Sequence, residues 1–329
     1  TLSDDRRQRQ MCIRDRVRTS LVGICGSDTH ALAGQHPFLT APYIPGHEAT
    51  GEVVAVGDGV RGLAEGQRVL LKPNVACGTC ANCRARRTNA CQSLAWIGCD
   101  PTMTLAGAMA EYFTAPVTNL YPIPDGMDEP TAALIEPLAT PMHAARLAGD
   151  LSGCRVAVVG AGTIGALSIV AALHAGAHAV VATDLEQSKL ERAVRIGARA
   201  GTLASSDDLI PDVLAALDGE ADVVFDCVAN ERSIDTAVHL LRRAGTLLVV
   251  GVPPTPATVP LPLVQDWELR LQGSAAYTHD DIVAALDLAA NGMLPTNSLT
   301  TSTYPLEKVA EAFEAAAADT SGKILLTLR

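Results

Sequence analysis

The sequence predicts an α/β chain in which a doubly wound parallel sheet is combined with a region of short strands and loops. Three observations carry this. Beyond about residue 150, β-branched runs ("RVAVVG", "AVVATD", "ADVVFD", "GTLLVVG") alternate with amphipathic stretches, the pattern of a parallel sheet with helices on both faces. Residues 17 to about 125 are short apolar runs cut by Gly and Pro, such as "ATGEVVAVGDGV" and "GQRVLLKP", which is strand-and-loop spacing. The length of 329 residues, with 48% apolar and 19% charged, suffices for two domains that bury their own cores.

Taken in order, "TLSDDRRQRQMCIRDR" (1–16) has no apolar periodicity, and it is expected to be a non-native leader with an initial hairpin missing behind it. Such a loss would leave an unpaired sheet edge prone to association. "VRTSLVGI" then reads as a strand leading into Cys25. In "DEPTAALIEPLATPMHAARLAG" Ala and Leu recur at helical spacing, with Asp128 as N-cap and Pro130 in the first turn, so a helix is expected to join the two domains. "TIGALSIVAALHA", "EQSKLERAVRIG" and "NERSIDTAVHLLRRA" supply the helices between the later strands. "HDDIVAALDLAANG" and "YPLEKVAEAFEAAA" are expected as two further helices, and "KILLTLR" as a closing strand.

The net charge of −11 would repel a nucleic-acid backbone or an anionic membrane, which leaves a small molecule as the expected partner. No run approaches the roughly 18 to 20 apolar residues of a membrane span. The N-terminal residues lack the apolar core and small-residue cleavage site of a secretory signal, so the expected compartment is the cytoplasm. In that reducing setting the nine cysteines are expected as thiolate ligands or small buried hydrophobes.

"RVAVVGAGTIGALSIVAALHAGA" sets Gly160, Gly162 and Gly165 in G-x-G-x-x-G spacing between strand and helix, with Thr163 and Ile164 inside the loop. The first glycine permits the tight turn, the second lets backbone approach a pyrophosphate, and the third lets helix pack on strand, with the phosphates at the helix N-terminus. The bare pattern also fits a glycine-rich turn of another α/β fold. Asp184 ends the next strand, nineteen residues beyond Gly165, where a carboxylate can accept hydrogen bonds from both adenosine ribose hydroxyls and would repel a 2′-phosphate. This points to a Rossmann domain binding NAD in preference to NADP. The plainer reading of Asp184 is a strand-end Asp capping the next helix.

"CGTCANCRARRTNAC" places Cys77, Cys80, Cys83 and Cys91 within fifteen residues, a density suited to a closed, structural all-cysteine zinc site. Iron–sulfur ligation and disulfides are the alternatives. A second, dispersed set comprises Cys25 in "GICGSDTH", His47 and Glu48 in "PGHEATGEVVAVGDGV", and Glu136 in "LIEPLA". Each has a plain reading: small hydrophobe, loop histidine, exposed helix residue. Glu136, however, lies in an apolar run, where a carboxylate is costly unless a cation or hydrogen bonds satisfy it. One thiolate, one imidazole and one carboxylate leave a tetrahedral zinc with a position open to substrate.

These residues carry a resemblance. "GHEATGEVVAVGDGV", "GICGSD", the four-cysteine segment, "EPLA" and "GAGTIG" resemble, in order and spacing, the zinc-containing alcohol dehydrogenases of the medium-chain dehydrogenase/reductase superfamily. "EPLA" in place of a third cysteine motif is similar to the sorbitol, threonine and butanediol dehydrogenase branch, and "LQGSAAYTHDDIVAALDLAANGML" to its butanediol-type members. The resemblance implies a GroES-like catalytic domain built from residues 17–138 and 277–329, with a Rossmann domain at 139–276 between them. It implies oxidation of a secondary alcohol, such as a vicinal diol, polyol or amino alcohol, by hydride transfer to NAD in a homodimer or homotetramer. Cys25 and His47 would hold the catalytic zinc, with Glu48 or Glu136 as exchanging third ligand and Asp28 orienting His47. Ser27 and His30 would form the proton relay. Where sorbitol-type enzymes tend to carry Arg before a Tyr, this chain has Ala276 before Tyr277, which points away from sorbitol itself. A zinc-free quinone or enone reductase and a non-catalytic NAD-binding protein are the rival readings.

Overall fold

The computed structural model of the chain describes residues 15–57, 59–253, 255–318 and 322–328. Most of the expected leader, Cys12 included, lies outside the described residues. Among the described residues fifteen strands follow in chain order: β1 (Asp15–Gly23), β2 (Glu48–Ala55), β3 (Arg68–Leu71), β4 (Asn74–Val75), β5 (Ala95–Trp96), β6 (Tyr112–Ala115), β7 (Leu120–Pro122), β8 (Arg155–Val159), β9 (Ala179–Asp184), β10 (Ala200–Leu203), β11 (Ala221–Asp226), β12 (Leu241–Val249), β13 (Arg270–Gly273), β14 (Thr300–Pro305) and β15 (Lys323–Thr327).

The first sheet runs β14-β15-β1-β2-β3-β7, with β6 also paired to β1. Both ends of the chain therefore contribute to it. Asp15 and Arg16, grouped with the leader by composition, are the first two residues of β1 and pair with Ala115 and Thr114 of β6. Asp15 is fully buried, and its Oδ1 accepts the Gly57 N–H at 3.0 Å. One side of β1 is filled by β2 and the other by β6 and then β15. Val17, Val22, Val53, Val69, Leu71 and Phe113 form the core of this half.

The second sheet is six-stranded and wholly parallel, in the order β10-β9-β8-β11-β12-β13. Side chains alternate between its faces as a period of two requires. Val156, Val158 and Phe225 belong to one core, and Ala157, Val159 and Val224 to the other. The order reverses between β8 and β11, so a crevice opens at their C-terminal ends, where ligands bind in sheets of this kind.

Between the sheets the structure departs from the single joining helix expected. Asp128 does cap a helix, accepting Thr131 N–H at 2.7 Å, but that helix spans only Glu129–Ala133. A second one starts at Ile135 and runs to Ala148. The reason is local: Pro137 has no N–H to bond the Ala133 carbonyl, so the ladder breaks at Leu134. The break leaves Glu136 in the first turn of the second helix, buried.

Candidate functional site

Strand pairing assembles the dispersed metal donors. Gly23 of β1 stands opposite Glu48, the first residue of β2, and opposite Leu325 of β15. Two residues past Gly23 the chain turns into the helix Gly26–Leu32 with Cys25 as its N-cap, so Cys25 falls beside His47. The close approach depends on glycine, since a Cβ at position 23 would sit 2.1 Å from Glu48 Oε2. Ligand atoms of Cys25, His47 and Glu48 all lie within 4.8 Å of one another.

The surroundings hold the trio in place. Asp28 Oδ2 accepts the Cys25 N–H at 3.1 Å. Its Oδ1, buried without a hydrogen-bond partner among the described residues, faces His47 Nδ1 at 3.7 Å. Burial would depress the His47 imidazolium, but the Asp28 carboxylate and the Cys25 thiolate outweigh it and hold its pKa well above the ordinary value. Both Glu48 oxygens accept from Lys323 Nζ, at 2.7 and 2.6 Å, and the pair is almost fully buried. Removing either partner of such a pair leaves an uncompensated charge, at a cost of roughly 3–5 kcal/mol.

Glu136 is not among the three clustered donors; its Oε1 accepts a short hydrogen bond from the Tyr277 hydroxyl. Burial pushes its carboxyl up to about 7, with the Glu48 charge adding to the effect and His47 opposing it. In the sequence Tyr277 stands out only through the Ala276 before it, and Lys323 lies far from every site motif. The latter left a signal, as a lone cation heading an apolar strand. A second sulfur also adjoins the site: Cys99 Sγ is 3.8 Å from His47 Nδ1.

A cleft of about 690 Å³ runs from these donors to the second sheet. Gly160, Gly162, Thr163, Ile164, Gly165 and Asp184 line one end; Cys25, His30 and Glu48 line the other, while Ser27 is not among its walls. Gly162 caps the helix Thr163–His174. Gly165 packs so tightly beneath the loop that a Cβ there would meet the Gly160 oxygen at 1.7 Å. Asp184 serves the loop as well as facing the cleft: Oδ2 accepts Ala161 N–H at 2.7 Å and Oδ1 accepts Glu186 N–H at 3.0 Å. The helix that follows, Gln187–Arg195, has Glu186 and not Asp184 at its N-cap, so the plain reading of Asp184 as that helix's cap does not hold.

Cys77, Cys80, Cys83 and Cys91 converge with all sulfurs within 4.8 Å of one another. The Cys77–Cys83 and Cys80–Cys91 separations are both 4.0 Å, about twice a disulfide bond and close to the roughly 3.8 Å edge of a tetrahedron with 2.3 Å zinc–sulfur bonds. Backbone N–H groups of Cys77, Cys80, Cys83 and Ser93 point at the sulfurs, which favours thiolates. Hydrogen bonds, from Thr79 above all, pull the Cys77 thiol down to about 6, whereas burial pushes Cys83 up to about 12. The donor chemistry of both clusters suits zinc. Among the described residues no helix is long and apolar enough to cross a membrane.

A family model described as alcohol dehydrogenase GroES-like domain matches residues 15–125, and one described as zinc-binding dehydrogenase matches residues 163–291. The L-galactonate-5-dehydrogenase of Escherichia coli K12 is 34% identical over 299 residues, covering 91% of this chain and 86% of that enzyme. The sorbitol dehydrogenase of Gallus gallus is 33% identical over 319 residues, or 94% and 88% of the two chains. The crystal structure of a zinc-binding dehydrogenase from Sinorhizobium meliloti 1021 bound to NADP superposes with a TM-score of 0.88 at 31% identity, over 96% of this chain and 92% of that one.

Proposed function

The chain belongs to the zinc-containing alcohol dehydrogenases of the medium-chain dehydrogenase/reductase superfamily, and from that premise we propose that it oxidises a secondary carbinol of a vicinal diol or polyol to the ketone, with NAD as acceptor. The observation that carries the reading is the single cleft joining the Cys25–His47–Glu48 cluster to the glycine loop and Asp184. The galactonate and sorbitol relatives, both acting on polyhydroxylated substrates by name, support the substrate class. A zinc-free reductase would have no use for a half-buried thiol and a buried imidazole and carboxylate brought within 4.8 Å.

Cys25, His47 and either Glu48 or Glu136 would hold the catalytic metal in this reading, and Cys77, Cys80, Cys83 and Cys91 the structural one. Bound zinc supplies the Lewis acidity that lowers the pKa of the alcohol, and NAD the hydride acceptor. Asp28 fixes the ring of His47 through Nδ1. His30, exposed on the cleft wall, would return the hydroxyl proton to solvent; Ser27, expected as the first acceptor, does not line the cleft. Glu48, held by Lys323, and Glu136, held by Tyr277, would be the alternative third ligands. The working form is a homodimer or homotetramer in the cytoplasm, which light scattering on the purified chain tests.

NADH formation across a panel of diols, polyols, aldonates and amino alcohols, with metal quantification alongside, tests the whole assignment. Two zinc per chain and turnover of at least one vicinal diol or polyol are expected; one zinc per chain and a silent panel would overturn it. Asp184→Asn keeps an acceptor for the Ala161 N–H but removes the charge that selects ribose hydroxyls. Charge-assisted hydrogen bonds contribute about 1.5–3 kcal/mol, so the preference for NAD over NADP is expected to fall roughly ten- to hundredfold. An unchanged ratio would remove Asp184 from cofactor selection.

A further inference from the structure

Asn89 lies between Cys83 and Cys91 in the four-cysteine loop, yet its amide reaches other parts of the chain. Nδ2 donates to the Ala275 carbonyl at 2.9 Å and lies 3.1 Å from His143 Nε2. His143, 4% exposed, is held from its other side by Asp281, whose Oδ2 is 2.9 Å from Nδ1. Arg146 Nη2 also lies 2.9 Å from Nδ1, so that nitrogen sits between a guanidinium and a carboxylate, and Nε2 is the ring atom that faces the Asn89 amide. Asp281 is itself pinned by Arg146 Nε at 2.8 Å and by the Thr278 N–H at 2.7 Å. Asn74, at the start of β4, grips the same segment further on: its Nδ2 donates to the Tyr277 carbonyl at 2.8 Å.

Between the two gripped carbonyls Ala276 has φ 52°, a left-handed conformation that Ala adopts only when its surroundings impose it. That kink turns Tyr277, 1% exposed, so that its hydroxyl meets Glu136. We propose that Asn89 and Asn74 form a clamp through which the four-cysteine loop positions Tyr277 and, through it, the Glu136 carboxylate. Asn89 is then a positioning residue for the reaction. Without the clamp Ala276 relaxes to negative φ, the Tyr277 hydroxyl swings away, and a buried carboxylate is left to find another partner.

This rests on placing Glu136 at the catalytic centre, which the metal content of the unaltered chain tests separately. The test uses the zinc-loaded enzyme and four variants: Asn89→Ala, Tyr277→Phe, their double, and Asn82→Ala. The last loosens the same loop through a different bond, Asn82 Nδ2 to Ala90 O at 2.6 Å. Three quantities are read: kcat against KM, the rate at which the catalytic zinc passes to a chromogenic chelator, and the melting temperature. Asn89→Ala and Tyr277→Phe are each expected to lower kcat about tenfold and to speed catalytic-zinc release by a similar factor, with the loop zinc retained. The double variant is expected to be no worse than Tyr277→Phe, because both act through one contact. Asn82→Ala is expected to lower the melting temperature alone. Values for Asn89→Ala within twofold of the unaltered chain, full additivity in the double, or the same shifts in Asn82→Ala would each overturn the proposal. Should Asn89→Ala fail to fold, Asn89→Asp, of the same shape without the donor, takes its place with the same expectations.

Discussion

Cys25→Ala is expected to abolish turnover, lowering kcat/KM by at least about a thousandfold, while zinc falls from two per chain to one. Lewis-acid activation contributes several kcal/mol, and each 1.36 kcal/mol is tenfold in rate, so about 4 kcal/mol suffices for that loss. The fold should survive, since the interaction that caps the Gly26–Leu32 helix uses the backbone N–H of Cys25 with Asp28, and alanine keeps that N–H. Near-normal melting together with lost activity and one lost zinc is therefore the expected signature. A Cys25→Ala chain that kept full activity would remove this residue from the catalytic centre.

Cys83→Ala is expected to act on stability first. The loop around Cys77–Cys91 has little apolar core of its own: β4 and β5 are two residues each, and Cys83 and Cys91 are the buried cysteines of the set. Structural zinc contributes on the order of 10–16 kcal/mol in isolated finger peptides at neutral pH. Retaining even a third of that here, about 4 kcal/mol, corresponds to a fall of roughly 10 °C in Tm for a domain of this size. Arg84, Arg86 and Arg87 are exposed in the loop, so rapid tryptic nicking there should accompany the loss of one zinc. Unchanged melting with two zinc retained would contradict the structural role.

The parallel sheet was legible because its strands are apolar on both faces: "RVAVVG", "AVVATD", "ADVVFD" and "GTLLVVG" became β8, β9, β11 and β12. β10, β13 and β14 were not. "AGTL" and "RLQG" lie at the sheet edges and "TTSTYP" is polar throughout, so none shows the runs that mark buried strands. The break at Leu134 was written in the sequence as Pro137, but helical periodicity continues across it and hides it. Asp15 and Arg16 joined β1 through tertiary pairing with β6, which a charged composition cannot reveal.

What the sequence determined by itself is everything that depends on near neighbours: the glycine loop and its helix, the strand-end Asp184, and the four cysteines that one short loop brings together. Their spacing restricts where those side chains can go, whatever the rest of the chain does. The tertiary structure alone decided the partners of the dispersed carboxylates. Lys323 reaches Glu48 across 275 residues and Tyr277 reaches Glu136 across 141, because β15 pairs with β1 and because Asn74 and Asn89 grip the turn at Ala276. Periodicity and spacing report on a residue's own helix or strand, whereas these contacts arise where separate elements pack, and there burial requires each charge to find a partner.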